Sequence, residues 1–277
     1  MPVSRIKNLI LFILSVSVLF LLMLVVPQRV ERARAEQALH EQLQTLFASY
    51  GIELDGESLP DSVSLYSIEL GTEETGAETA AKALLGDDAA VEDGATRFAP
   101  VYTSAAGTCS MVLDGSFHAE LRGGEAAGDV YRDAQKVLVK MGFSCSTLSQ
   151  PQRVSAGVYR VDAAQELLGV PVFSEGLHLT YKNGVLREID GVFFTGEQKI
   201  TRISEERCIS CADALAALLA SRDQLGWVGS SILRVTQGYR YTESASASVR
   251  LLPVWLIETD TETFQVNGLT REVQQQG

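Results

Sequence analysis

The sequence predicts an α+β protein: an N-terminal transmembrane helix and helical stalk, then tandem two-layer modules, each a helix against an antiparallel sheet. Three observations predict it. An uncharged stretch of 18 residues lies near the N-terminus, strand–turn–strand segments recur with matching residues, and an amphipathic helical pattern precedes each of the two clearer copies.

The anchor comes first. Leu9 to Val26 carries no charge, with Arg5 and Lys7 before it and Pro27 closing it, enough to cross the hydrocarbon layer as a helix. A cleaved signal peptide is the competing reading. The only Ala-x-Ala triplet just after the apolar stretch, Ala33-Arg34-Ala35, sits beyond three charged residues, which favours an uncleaved signal anchor. Residues 36–277 hold 18 basic and 34 acidic side chains. Such an acidic body is repelled by an anionic cytoplasmic leaflet, so the expected arrangement is a single pass with residues 1–8 cytoplasmic and the body outside. The formal net charge of -12, with no Lys/Arg-rich run after residue 35, excludes a nucleic-acid partner.

Residues 27–51 read as the stalk. Leu39, Leu43, Leu46, Phe47 and Tyr50 share one helical stripe, which either packs on the following domain or offers a short coiled-coil contact. Residues 52–128 read as a degenerate first module, 129–206 as the second and 207–277 as the third.

The repeat carries the division. Pro171-Val172-Phe173 and Pro253-Val254-Trp255 are each followed by Asn-Gly, at Asn183-Gly184 and Asn267-Gly268, then by Arg187-Glu188-Ile189 and Arg271-Glu272-Val273. A fainter copy runs from Pro100-Val101-Tyr102 to Asp114-Gly115. Asn-Gly and Asp-Gly supply the positive φ values of a type I′ hairpin turn. Proline inside a strand points to an edge or a strand start. Ahead of these segments, Val130, Ala134, Val137, Leu138 and Met141 share one helical face, as do Cys211, Leu215, Leu218 and Leu219.

The run from Pro253 through Phe264, Val266, Asn267, Gly268, Thr270, Glu272 and Val273 resembles the strand–turn–strand ending of PepSY-like domains. The larger layout resembles the YycH/YycI family of Gram-positive bacteria: a short head, one anchor helix, and extracytoplasmic PepSY-like repeats. The resemblance implies an accessory role in two-component signalling and cell-wall homeostasis. Its implied partners are a WalK-type sensor histidine kinase and a second YycH/YycI-type protein. It implies no catalytic residue. The Met1-Pro2-Val3 start and the Cys-x-x-Cys depart from the family pattern.

The residues agree with a non-enzymatic reading. His40, His118 and His178 are the only histidines, and no His-Glu-x-x-His, Gly-x-Ser-x-Gly, phosphate loop or EF-hand spacing occurs. Glu258, Asp260 and Glu262 share one side if extended, too few oxygens for calcium without a collecting turn. Trp227 and Trp255 sit in apolar strings and are expected in the core. No catalytic, cofactor or metal residue is assigned.

Cys208 and Cys211 have the spacing of a redox dithiol or half a zinc site. A helix N-terminus can stabilise a thiolate, but Ile209, Ser210 and Asp213 read as staple, N-cap and N3 residue of a helix whose first residue is Cys211. The expectation is a pair of buried structural cysteines or a local disulfide, in a chain whose other cysteines are Cys109 and Cys145. The leading functional expectation is regulation of a membrane sensor kinase. An extracellular peptidase inhibitor or peptide-binding module stands second, and a thiol-disulfide protein using Cys208 and Cys211 third.

Overall fold

The computed structural model describes residues 38–276, apart from 56–58, 61–62, 72–74, 93–98, 113, 174–175, 196–199 and 244–248. The expected head and anchor, 1–26, lie outside the described residues. Among those described, no helix is long and apolar enough to cross a membrane.

Chain order is α1 (38–49), β1 (Glu53–Leu54), β2 (Tyr66–Leu70), α2 (Thr75–Leu85), β3 (Ala90–Val91), β4 (Val101–Ser104), β5 (Gly107–Met111) and β6 (Ser116–Leu121). Next come α3 (Val130–Met141), β7 (Cys145–Leu148), β8 (Gln152–Ser155), β9 (Val158–Leu167), β10 (Val170–Pro171), β11 (Leu177–Lys182) and β12 (Val185–Val192). The chain ends with β13 (Ile200–Arg207), α4 (Cys211–Leu225), β14 (Ser231–Glu243), β15 (Val249–Thr259), β16 (Thr263–Asn267) and β17 (Val273–Gln276).

These strands correct the expected fold class. Tandem modules, each with its own antiparallel sheet, do not form. A ten-stranded sheet takes β3 to β12, and a seven-stranded sheet takes β13 to β17 together with β1 and β2. The second sheet is mixed, because β1 pairs in parallel with β14. The physical reason is burial: Leu54, Ile68 and Leu70 find their apolar partners in the C-terminal sheet rather than beside β4 to β6.

In the ten-stranded sheet, register decides which face is which. Val161, Leu179, Ile189, Ala119, Cys109 and Tyr102 stand side by side across five strand pairings, and all are buried. Helices α2 and α3 cover this face through Ala77, Ala80, Ala81, Leu85, Ala134, Leu138 and Met141. Because side chains alternate with a period of two, the neighbouring residues line the opposite face. That outer face is polar.

Helix α3 begins at Asp129, whose carboxylate accepts from the Arg132 amide, and ends at Gly142 in the left-handed region with φ 78°. Helix α4 begins with a capping box between Ser210 and Asp213. It packs on the seven-stranded sheet, with Cys211, Leu215 and Leu218 against Trp227, Trp255 and Phe264. Helix α1 joins this core: Leu43 and Phe47 are buried in it, and the Arg222 guanidinium donates to the Tyr50 carbonyl at 3.2 Å. The described part of the stalk therefore packs on the domain, while Leu39, Leu46 and Tyr50 stay exposed.

A third apolar cluster joins the sheets, with Leu167, Val172 and Phe194 on one side and Ile68, Tyr239 and Leu251 on the other. The Phe173 amide donates to the Tyr239 carbonyl across this seam at 2.8 Å.

Pro253 departs from the edge-strand expectation. It lies within β15, opposite Tyr239 of β14. On its other flank β15 pairs β2 only at 249–251 and β16 only at 254–258, and the Pro253 carbonyl accepts from the Gly268 amide there. Backbone N and C=O of one residue point to the same side of an antiparallel strand. The missing donor thus falls in the gap between β2 and β16.

Candidate functional site

A groove of about 610 Å³ lies between α3 and β7. Tyr131, Gln135, Leu138 and Val139 form its helical wall, at positions three or four apart as one helix face requires. The C-cap explains its closed end: Phe143 donates to the Leu138 carbonyl, so the chain reverses at once into β7. Residues Cys145 to Leu148 form the other wall, and Glu166 of β9 adds one carboxylate. Among the described residues β7 pairs only with β9, so its far edge carries backbone groups without a neighbouring strand. Cys145 and Val139, the latter 72% exposed, stand at the mouth.

The outer face of the same sheet holds the polar constellation. Asp162, His178, Asp190, His118 and Ser110 form one row across β9, β11, β12, β6 and β5. His118 Nδ1 lies 2.5 Å from Asp190 Oδ1, and its Nε2 lies 3.7 Å from Glu120. The Asp190 hydrogen bond raises the His118 pKa against a smaller opposing effect of burial. His178 Nδ1 meets Asp162 Oδ1 at 2.6 Å and the Arg160 guanidinium at 2.7 Å. Burial pushes the Asp162 carboxyl up, but Arg160 and His178 together hold it below the usual range. His118, Glu188 and Asp190 bring donor atoms within 4.8 Å of one another.

The row Asp190–His118–Ser110 has the residue types of a hydrolytic triad. Its geometry is different. The Ser110 hydroxyl bonds to the His118 carbonyl at 3.5 Å, and the imidazole Nε2 faces Glu120. Ser110 is not aligned on the ring as a nucleophile must be.

All four cysteines are free thiols. Burial pushes Cys109 and Cys211 up to about 12. Burial also raises Cys208, against hydrogen bonds with Gln237 and Trp255, and Cys145, against a hydrogen bond with the Thr147 backbone. These shifts run opposite to what thiolate chemistry needs.

The three turn pairs diverge. Asn183 and Gly184 both have positive φ, 52° and 79°, and close the β11–β12 hairpin as a type I′ turn requires. At Asp114–Gly115 only the glycine is positive, and the Asp114 carboxylate accepts from the Ser116 amide. At Asn267–Gly268 neither is positive; the Asn267 side chain accepts from Leu269 and Thr270, and Arg271 takes the left-handed conformation. Trp227 and Trp255 are core residues, 2% and 0% exposed. Asp260 accepts from the Ser230 amide and hydroxyl, which tie it to the β14 start.

Sequence reasoning left the groove and the histidine row unassigned. The row had a signal, since His118-x-Glu120 and Glu188-x-Asp190 place pairs on one strand face. Their meeting depends on a register between segments 72 residues apart.

No protein-family model matches the chain, and no curated protein matches it. Two solved structures are weak neighbours. An uncharacterized protein from Eubacterium rectale is 10% identical with a TM-score of 0.49, covering 82% of this chain and 90% of its own. The Bacillus megaterium YpeB C-terminal domain is 11% identical with a TM-score of 0.39, covering 75% of this chain and 99% of its own. Likeness at this level assigns neither a family nor an activity, and membership of the YycH/YycI family finds no match in these comparisons.

Proposed function

We propose that this chain is a non-enzymatic regulatory protein that works by binding, and that the α3–β7 groove receives an extended segment of its protein partner. The observation that carries the reading is a groove of mixed apolar and polar lining beside an unpaired strand edge. An extended peptide adds to such an edge through main-chain hydrogen bonds, and its alternate side chains enter the groove. Leu138, Val139 and Leu148 suit an apolar side chain, and Glu166 suits a basic one. A bare edge would otherwise invite aggregation, so a strand that stays open beside a groove favours a specific occupant.

The partner proposed is a sensor histidine kinase of the same membrane. Residues 9–26 would hold body and kinase at one surface, raising the effective concentration of any weak groove contact. The test uses the full chain in detergent, with a photo-crosslinker attached to Cys145 and the kinase co-expressed. The expected product joins Cys145 to an extracytoplasmic segment of the kinase and disappears in Val139→Glu, a change at an exposed position. Co-purification of the kinase without that crosslink would move the contact out of the groove. Absence of the kinase under gentle solubilisation would sink the partner assignment.

A further inference from the structure

We propose that His118, Glu188 and Asp190 form a binding site for a divalent metal ion of the zinc class on the outer face of the ten-stranded sheet. The three groups come from two adjacent strands in fixed register. His118 of β6 stands opposite Asp190 of β12, and Glu188 lies two residues earlier on the same face. Their donor atoms already lie within 4.8 Å of one another. A tetrahedral zinc ion with ligands about 2.0–2.1 Å away spaces them about 3.3 Å apart, so the ion enters by spreading His118 Nδ1 and Asp190 Oδ1, which lie 2.5 Å apart.

Charge supplies the second argument. Glu188 faces Glu120 directly across the β12–β6 pair. Like charges in that position oppose sheet formation. Asp190 adds a third carboxylate around one imidazole, and among the described residues no lysine or arginine forms an ion pair with any of the three. The other half of the row is an internal comparison. There the His178–Asp162 pair already has a cation, the Arg160 guanidinium, at 2.6 Å from the carboxylate. The His118–Asp190 pair has the same geometry and lacks the positive charge.

The donor set decides the ion. One imidazole nitrogen with two or three carboxylates suits zinc and its neighbours, whereas calcium wants six or more oxygens. The His118 nitrogen that meets Asp190 must lose its proton to bind metal, so affinity falls with pH.

The test titrates the full chain, carrying Cys145→Ser to remove the exposed thiol, with zinc against a chromophoric chelator at about pH 7.5. One equivalent is expected to bind, and zinc is expected to shift the His118 imidazole signals in NMR. His118→Ala and Glu188→Gln should each weaken binding about tenfold or more, while His178→Ala leaves it unchanged. Lowering the pH to about 5.5 should release the ion. Circular dichroism confirms that each exposed-site variant is folded. The proposal is overturned if the parent binds no zinc, if affinity survives His118→Ala, or if His178→Ala abolishes it equally.

Discussion

In the stretch from α3 to β12, Asn183–Gly184 closes a tight hairpin, and β9 pairs β10 and β11 along one edge and β7 and β8 along the other. In the stretch from α4 to β17, Asn267–Gly268 opens a wider loop, and β14 to β17 follow one another as a meander. Both stretches share a capped helix, a Pro-Val-aromatic segment, an Asn-Gly pair and an Arg-Glu pair. The difference lies in what touches the glycine. Gly184 has its nearest neighbours 3.4 Å from a would-be Cβ, whereas Gly268 is pressed against the Pro253 carbonyl and Cys208 Sγ. Its amide and carbonyl are also engaged, by Pro253 and Ile209. One dipeptide is used for its turn conformation and the other for close backbone approach.

The two stretches also share a buried glutamine. Gln165 in β9 and Gln237 in β14 are both buried, 4% and 6% exposed. Gln165 bonds both the amide and the carbonyl of Phe194, and Gln237 does the same with Val63, at 2.8 and 2.9 Å. Each glutamine satisfies both backbone groups of one loop residue.

The largest effect should separate the two glycines. Gly268→Ala puts a methyl within 2.5 Å of Cys208 Sγ and 2.6 Å of the Pro253 carbonyl. A loss of about 3 kcal/mol is expected in urea denaturation. Gly184→Ala should cost only about 1–2 kcal/mol, from its positive φ. Equal losses would break the distinction drawn between the turns.

The glutamine clamps come next. Gln165→Leu should cost about 2–3 kcal/mol, because it strands the buried amide and carbonyl of Phe194, and Gln237→Leu only about 1 kcal/mol, because water can reach the exposed Val63. A loss below about 0.5 kcal/mol in either would show that water replaces that clamp.

A smaller effect concerns Asn183. Its φ of 52° suits asparagine better than other side chains, so Asn183→Ala should cost about 1 kcal/mol and Asn183→Gly almost nothing. At 267, glycine should not rescue, because there the side-chain oxygen holds two amides.

The smallest effect is electrostatic. Asp190 raises the folded-state pKa of His118, so the pair stabilises the fold fully below the unfolded histidine value, near 6.5. That contribution is lost as pH rises through the raised folded value. The His118 side chain is 46% exposed, which limits the gain to a few tenths of a kcal/mol. NMR titration should place His118 above the ordinary range, and Asp190→Asn should bring it back. An unchanged midpoint in that variant would remove Asp190 as the cause.

Local elements were legible because their causes lie within a few residues. Ser210 announces its helix, Gly142 ends another, and the alternation Leu177-Leu179-Tyr181 marks a strand face that is buried as a set. The tandem-module expectation failed on β1 and β2, whose sequences carry no sign that they pair with strands more than 100 residues away. The candidate sites divide in the same way. The groove wall Gln135, Leu138 and Val139 follows helical spacing, but its depth exists only because the chain reverses into β7.

By itself, the sequence determined helix boundaries, strand faces, the Asn183–Gly184 turn and the burial of Cys211, all consequences of short-range sterics and period. Only the tertiary structure decided which sheet each strand joins and that His118 meets Asp190. Strand partners are chosen by the apolar surface that the whole assembly buries, and many registers look equally good from within one segment.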